Sequence, residues 1–125
     1  VAPICIKDTG KYGNGIYATR DIKKDELIEV SPVLISPKKE WKYLKKTILV
    51  NYCFFWGEDN DTAIALGHGA LFNHSYTPNA TFDNNEDNLS IDFYALADIK
   101  AGEEITINYN GELENISPLW FTVIE

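Results

Sequence analysis

The sequence predicts a mainly β fold in a single domain, and three observations carry that prediction. Short stretches rich in Ile, Val, Thr, Phe and Tyr recur between clusters of turn-forming residues, the pattern of a strand-dominated chain. Helical periodicity is scarce. A length of 125 residues allows one hydrophobic core and not two, so any substrate must be met by this one unit, 1–125, or by a dimer of it.

Strands are expected near residues 4–7, 16–19, 27–30, 33–35, 49–55, 63–66, 80–83, 89–95 and 105–108. Ser36-Pro37 ahead of residues 38–45 reads as a cap residue followed by proline at the first helical position. The missing N–H costs nothing there, so one helix is expected. Glu58-Asp59-Asn60-Asp61 and Asn84 to Asn88 are polar clusters whose side chains stabilise tight turns. Neither has the central Gly and closing Glu of an EF-hand calcium loop, so both read as turns. Residues 18–28 are echoed by 95–105, with Asp21-Ile22-Lys23 and Glu26 matching Asp98-Ile99-Lys100 and Glu103. Two copies do not make a solenoid, which stacks three or more units. Two similar hairpins in one sheet system are expected.

Eleven Lys and Arg against nineteen Asp and Glu give a formal charge of −8 and a pI near 4.7. A sequence-independent grip on phosphate needs the opposite sign, so direct nucleic-acid binding is not expected. A basic, lysine-containing protein or peptide is the more natural partner, although acidic balance is also an ordinary solubility feature. Cys5 and Cys53 each lie among apolar residues and suit neither a disulfide framework nor a four-ligand zinc site. A reducing, intracellular compartment, cytoplasm or nucleus, is expected. No apolar run approaches the ~20 residues that span a bilayer. No charged-then-apolar leader is present either, although a chain that opens on Val1 and contains no Met has the look of a trimmed one.

Gly13-Asn14-Gly15 precedes the apolar stretch Ile16-Tyr17-Ala18. Glycines there let backbone approach a ligand or take positive φ, and a plain hairpin turn looks the same. Gly67-His68-Gly69-Ala70 leads into Phe72-Asn73-His74-Ser75, and Thr77-Pro78-Asn79 follows as a turn. An adenine edge wants one donor and one acceptor, which an Asn amide or a stretch of backbone supplies; the bland alternative is an Asn and a His bonding their own loop. His68 with His74 makes a poor metal site without cysteines, so no metal is expected. Ser75 beside His74 lacks the elbow of a serine hydrolase. Cys53, within Tyr52-Cys53-Phe54-Phe55, reads as inert packing. Tyr109 closes the last expected strand, where tyrosine is common.

The segment Phe72 to Asn79, the segment Gly102-Glu103-Glu104-Ile105-Thr106-Ile107-Asn108-Tyr109 and Gly13-Asn14-Gly15 together resemble the three signature segments of the SET domain, a family of S-adenosylmethionine-dependent protein lysine methyltransferases. The resemblance runs from Gly13 to the tail. It implies a β fold of several small sheets with a knot-like core, in which the Asn73 and Tyr109 segments share one site. Carried over by position, it implies that Gly13, Asn14 and Gly15 wrap the methionine part of S-adenosyl-L-methionine. Asn73 and His74 would grip its amine and adenine, and Tyr109 would be the catalytic residue at the transfer point. Tyr52, Tyr109, Trp120 and Phe121 are the aromatic candidates for a lysine channel; Tyr52 and Trp120 equally suit a core.

The chain departs from the family in three places. Tyr76 replaces a frequent Cys, Ala70 replaces a frequent Arg, and no Cys-rich tail follows, so residues 110–125 are expected to complete the channel. The compact form is most similar to the minimal viral and microbial members, and a homodimer is expected by analogy with them. A silent binding module on the same scaffold is the alternative to an enzyme.

Overall fold

A computed structural model gives the fold and describes residues 2–11, 13–59 and 61–108. The strands in chain order are β1 Ile4–Asp8, β2 Asn14–Ala18, β3 Leu27–Ser36, β4 Cys53–Trp56, β5 Asp61–Ala65, β6 Asn73–His74, β7 Ala80–Asn85, β8 Ser90–Ala95 and β9 Glu104–Ile107. They form a four-stranded sheet in the order β1-β2-β9-β6 and a five-stranded sheet in the order β4-β5-β3-β8-β7. This is the mainly β arrangement of small curled sheets that the sequence predicts.

Four local departures have identifiable causes. The two strands expected at 27–30 and 33–35 are one, because Pro32 sits where β3 exchanges its partner β8 for β5. A missing N–H is tolerable at such a junction, and the Pro32 carbonyl accepts from Leu66 N at 2.8 Å. The strand expected from residue 49 begins only at Cys53, because Thr47 Oγ1 accepts from Leu49 N at 3.2 Å and starts a 3-10 turn, Ile48–Asn51. The expected helix is a 3-10 turn, Lys38–Glu40, running into a single α-helical turn, α1, Trp41–Leu44. Ser36 does not cap it: Ser36 ends β3 and donates to Glu40 Oε1 at 2.9 Å, leaving Pro37 with φ −59° at the cap position. Finally, β6 was too short for its composition to announce it.

The echoed stretches are not hairpins. Each is a connection between the two sheets, one from β2 to β3 and the other from β8 to β9, and they clasp one another. Ile22 and Ile99 exchange both backbone hydrogen bonds, at 2.7 and 2.8 Å. Asp98 Oδ1 accepts from Lys24 N and Asp21 Oδ1 from Ala101 N, both at 2.9 Å. The matching residues thus make matching bonds across a local two-fold.

The core lies between the sheets. Ile16, Ile91, Phe93, Ile105 and Ile107 are fully buried, and Phe72 stacks on Phe93 with ring centroids 4.5 Å apart. The five-stranded sheet curls until its two edges meet. Asn84 Nδ2 on β7 donates to the Phe55 carbonyl on β4 at 2.9 Å, and Phe54 packs edge-on against Phe82 at 5.1 Å.

Candidate active site

β6 and β9 pair in parallel, Asn73 opposite Thr106 and His74 opposite Ile107. β9 pairs on its other side with β2, Ile16 opposite Ile105 and Tyr17 opposite Glu104. Two of the three sequence segments singled out above, and the described part of the third, therefore meet across one sheet. Tyr109, Trp120 and Phe121, with the tail 110–125, lie outside the described residues.

Asn73 is the hub of this meeting. Its Nδ2 donates to the Asn14 carbonyl at 3.0 Å and to Glu104 Oε2 at 2.9 Å. Two acceptors on one side fix the amide orientation, since a carboxamide has its two donors on nitrogen alone. The Asn73 Oδ1 acceptor is thereby turned the other way. Gly15 is required by the same packing: a Cβ there would lie 2.5 Å from Glu104 Oε2 and 2.8 Å from Asn73 Nδ2. Gly13 is required by its backbone, with φ +93°, and a Cβ there would meet nothing within 4 Å. Its carbonyl accepts from both Thr9 N and Thr9 Oγ1 at 2.8 Å, which closes the glycine loop. Gly13 and Asn14 are exposed and Gly15 is buried, so the loop presents one accessible backbone edge.

His74 contributes differently from Asn73. Its ring is buried and sits edge-on to Tyr76, centroids 4.5 Å apart. Ser75 N donates to the Ile107 carbonyl at 2.9 Å; strand groups alternate in direction, so the His74 N–H and carbonyl are directed away from β9.

Two residues escaped the sequence reading although they lay inside the quoted segments. Glu104 is half-buried and orients Asn73; as one of nineteen acids nothing marked it out. Asn79 extends the ladder where β6 stops, its Nδ2 donating to the Glu104 carbonyl at 2.8 Å and its Oδ1 accepting from Thr106 N at 2.9 Å. Its signal was its place after Thr77-Pro78, read only as a turn.

The other candidates stand outside the Asn73 hydrogen bonds described above. Tyr52 is 39% exposed beside β4, in the five-stranded sheet, and among the described residues no hydrogen bond or ring contact ties it to the Asn73 cluster. Ser75 Oγ accepts from Thr77 N at 3.0 Å and stiffens the turn. His68 is tied by its Nδ1 to Glu29 Oε1 at 2.7 Å and by its N–H to Glu29 Oε2 at 2.8 Å. Burial pushes the Cys53 thiol up from its ordinary value, which suits packing and not nucleophilic attack.

Comparison with known proteins agrees with this geometry. A family model described as SET domain matches residues 13–110. A histone-lysine N-methyltransferase specific for H3 lysine-37 from Schizosaccharomyces pombe is 36% identical over 113 residues, covering 90% of this chain and 76% of that protein. An H3 lysine-4-specific enzyme from Neurospora crassa is 36% identical over 122 residues, but the match spans only 9% of its length. A SET domain-containing protein of Acanthamoeba polyphaga mimivirus is 41% identical over 58 residues, 46% of this chain and 22% of that one. Among solved structures, one described as a histone methyltransferase of Plasmodium falciparum superposes with a TM-score of 0.72 at 30% identity, covering 87% of this chain and 94% of that one.

Proposed function

This chain belongs to the SET domain family and is a protein-lysine N-methyltransferase; from that premise we propose that it methylates a lysine of a histone tail, using S-adenosylmethionine. The orientation of Asn73 is the observation that carries the cofactor reading. With Nδ2 engaged by Asn14 and Glu104, Oδ1 would serve a ligand as an acceptor, which suits a cationic ammonium. The exposed loop at Gly13 and Asn14, tied to the Asn73 amide, is assigned with His74 to the remaining parts of such a ligand.

When bound, the cofactor supplies a methyl group activated on a sulfonium. The residues of the chain do the rest by placement. A lysine ammonium, pKa near ~10.4, has no lone pair, so only the neutral amine can react. Desolvation and a nearby positive charge both favour that neutral form, and no dedicated base is needed. Alignment of the reactants is worth ~7–11 kcal/mol of a barrier. Tyr109 is assigned to the transfer point, where its hydroxyl would steady the methyl through C–H···O contacts of about 0.5–1 kcal/mol each. Tyr52, Trp120 and Phe121 are assigned to the channel, whose ring faces would accept a methylated ammonium. Relatives that act on histones support an intracellular, nuclear setting.

Incubation of the protein with S-adenosylmethionine and histone-tail peptides, read by mass spectrometry, tests the proposal. Mass increments of one methylene on a lysine are expected. Tight cofactor binding with no transfer to any peptide would replace the enzyme by a silent module.

A further inference from the structure

Charge is laid out along this chain in blocks. Residues 38–46 hold five lysines, at 38, 39, 42, 45 and 46, against Glu40, whereas residues 47–99 hold no Lys or Arg and eight Asp or Glu. The lysine block covers the 3-10 turn Lys38–Glu40 and α1, and all five lysines are exposed. None of them enters an ion pair among the described residues, and Glu40 is held by Ser36 Oγ. Lys42, Lys45 and Lys46 stand three and four apart across the single α-helical turn and its C-cap, the spacing that keeps residues on one side, whereas Lys38 lies in the preceding 3-10 turn. Tyr43 is 66% exposed beside them, with Lys42 Nζ 5.1 Å from its ring centroid.

We propose that this row docks the protein, without regard to sequence, on the phosphate backbone of duplex DNA. The overall charge of −8 argued against such a contact, but charges act only over a screening length of about 8–10 Å in ordinary salt. At that range a polyanion meets the local charge and not the average. A basic histone tail is repelled by the row and must bind elsewhere. Lysine binds phosphate as a point charge, and duplex DNA carries one negative charge per ~1.7 Å of its axis, a density that lets several neighbouring lysines each meet a phosphate at once. Asp61 Oδ1 accepts from Lys38 N at 2.9 Å, so an acid stands at the start of the row. Lys42, Lys45 and Lys46 therefore carry most of the contact. The proposal rests on the histone reading only in that such substrates arrive wrapped in DNA.

Fluorescence anisotropy of a labelled 25-base-pair duplex, titrated with the full chain across a salt series, tests it. Binding should weaken with salt at a log–log slope of about −3 to −4, since each phosphate contact contributes roughly −0.9. The triple variant Lys42→Gln, Lys45→Gln, Lys46→Gln should lose at least tenfold in affinity at low salt and most of that slope. Its circular dichroism and its methylation of a free tail peptide should be unchanged. The pair Lys7→Gln, Lys11→Gln, in β1 and in the loop that follows it, should bind as wild type does. No duplex binding at low salt, equal binding by the triple variant, or preference for a polyglutamate competitor over the duplex would overturn the proposal. Loss of peptide methylation in wild-type protein would instead sink the enzymatic reading and leave the DNA result to be judged by itself.

Discussion

Asp25 and Gly102 occupy the same position in the two clasped connections, and both have left-handed backbones, with φ +70° and +89°. The geometry is therefore set by the clasp and not by the residue. An L side chain in that region costs about 1–2 kcal/mol, and a Cβ at 102 would meet nothing within 4 Å. Gly102→Ala should destabilise by about 1 kcal/mol, conformational cost less the roughly 0.5–1 kcal/mol of chain entropy that glycine forfeits. Asp25→Gly should hold or raise the urea midpoint. A clear fall for Asp25→Gly would mean that the Asp25 side chain, and not its backbone, matters.

The glycine loop separates two kinds of requirement. Gly15→Ala drives a methyl into Glu104 and Asn73, an overpacking expected to cost about 1–3 kcal/mol of stability and to weaken cofactor binding with it. Gly13→Ala has room for its methyl but strained backbone, so it should cost less. Calorimetric titration beside urea denaturation distinguishes them, and equal losses at both positions would contradict the packing argument.

Asn73→Ala should lower cofactor affinity by about 1–3 kcal/mol, the cost of polar partners left unpaired. Asn73→Asp should be worse than Ala, because it sets a second carboxylate where Glu104 Oε2 now meets a donor at 2.9 Å, and like charges so close repel. If the aspartate variant binds the cofactor as tightly as the wild type, the amide is not oriented as described.

Tyr109→Phe removes one hydroxyl and keeps the ring, so cofactor binding should survive while the single-turnover rate falls tenfold or more, each ~1.4 kcal/mol at the transition state being one decade. Activity of the wild type should rise toward alkaline pH, as the amine becomes neutral. An unchanged rate in Tyr109→Phe would move the assignment to Tyr52.

Glu26 should give the fold part of its acid sensitivity. Its hydrogen bond from Arg20, at 2.6 Å, and then one from the Lys23 backbone hold its carboxyl below the ordinary glutamate value. A lowered folded pKa stabilises above the unfolded value, near ~4.3, and that contribution is lost as pH falls through the folded value. Urea midpoints of wild type and Glu26→Gln should differ at pH 7 and converge below pH ~4. A constant gap down to pH ~2 would assign the difference to something other than this ionisation.

Most strands were legible because composition reports them: β8 places Ile91, Phe93 and Ala95 in the core, and its aromatic and β-branched residues read as a strand wherever they occur. β6 was not legible as a strand, since two residues carry no period. Its existence depends on β9, more than thirty residues away in the chain. The site divides in the same way. Asn73, His74 and Gly13 to Gly15 belong to short patterns that resemblance could quote. Glu104 and Asn79 act through register, Glu104 by facing Gly15 and Asn73 and Asn79 by reaching residues 104 and 106, and register is settled by the fold. Ser36 misled because a serine before proline is a cap only if the chain has already left its strand.

The contact between Asn84 and the Phe55 carbonyl bears on how this protein behaves in a crowded solution. β4 carries Cys53, Phe54, Phe55 and Trp56, an apolar strand that, left at an open edge, would be a template for another chain. The Asn84 amide already occupies an outward carbonyl of that strand, and the curl presents β7 alongside it. Asn84→Ala should leave methylation chemistry untouched and instead lower solubility on concentration, as the freed edge recruits strands from neighbouring molecules.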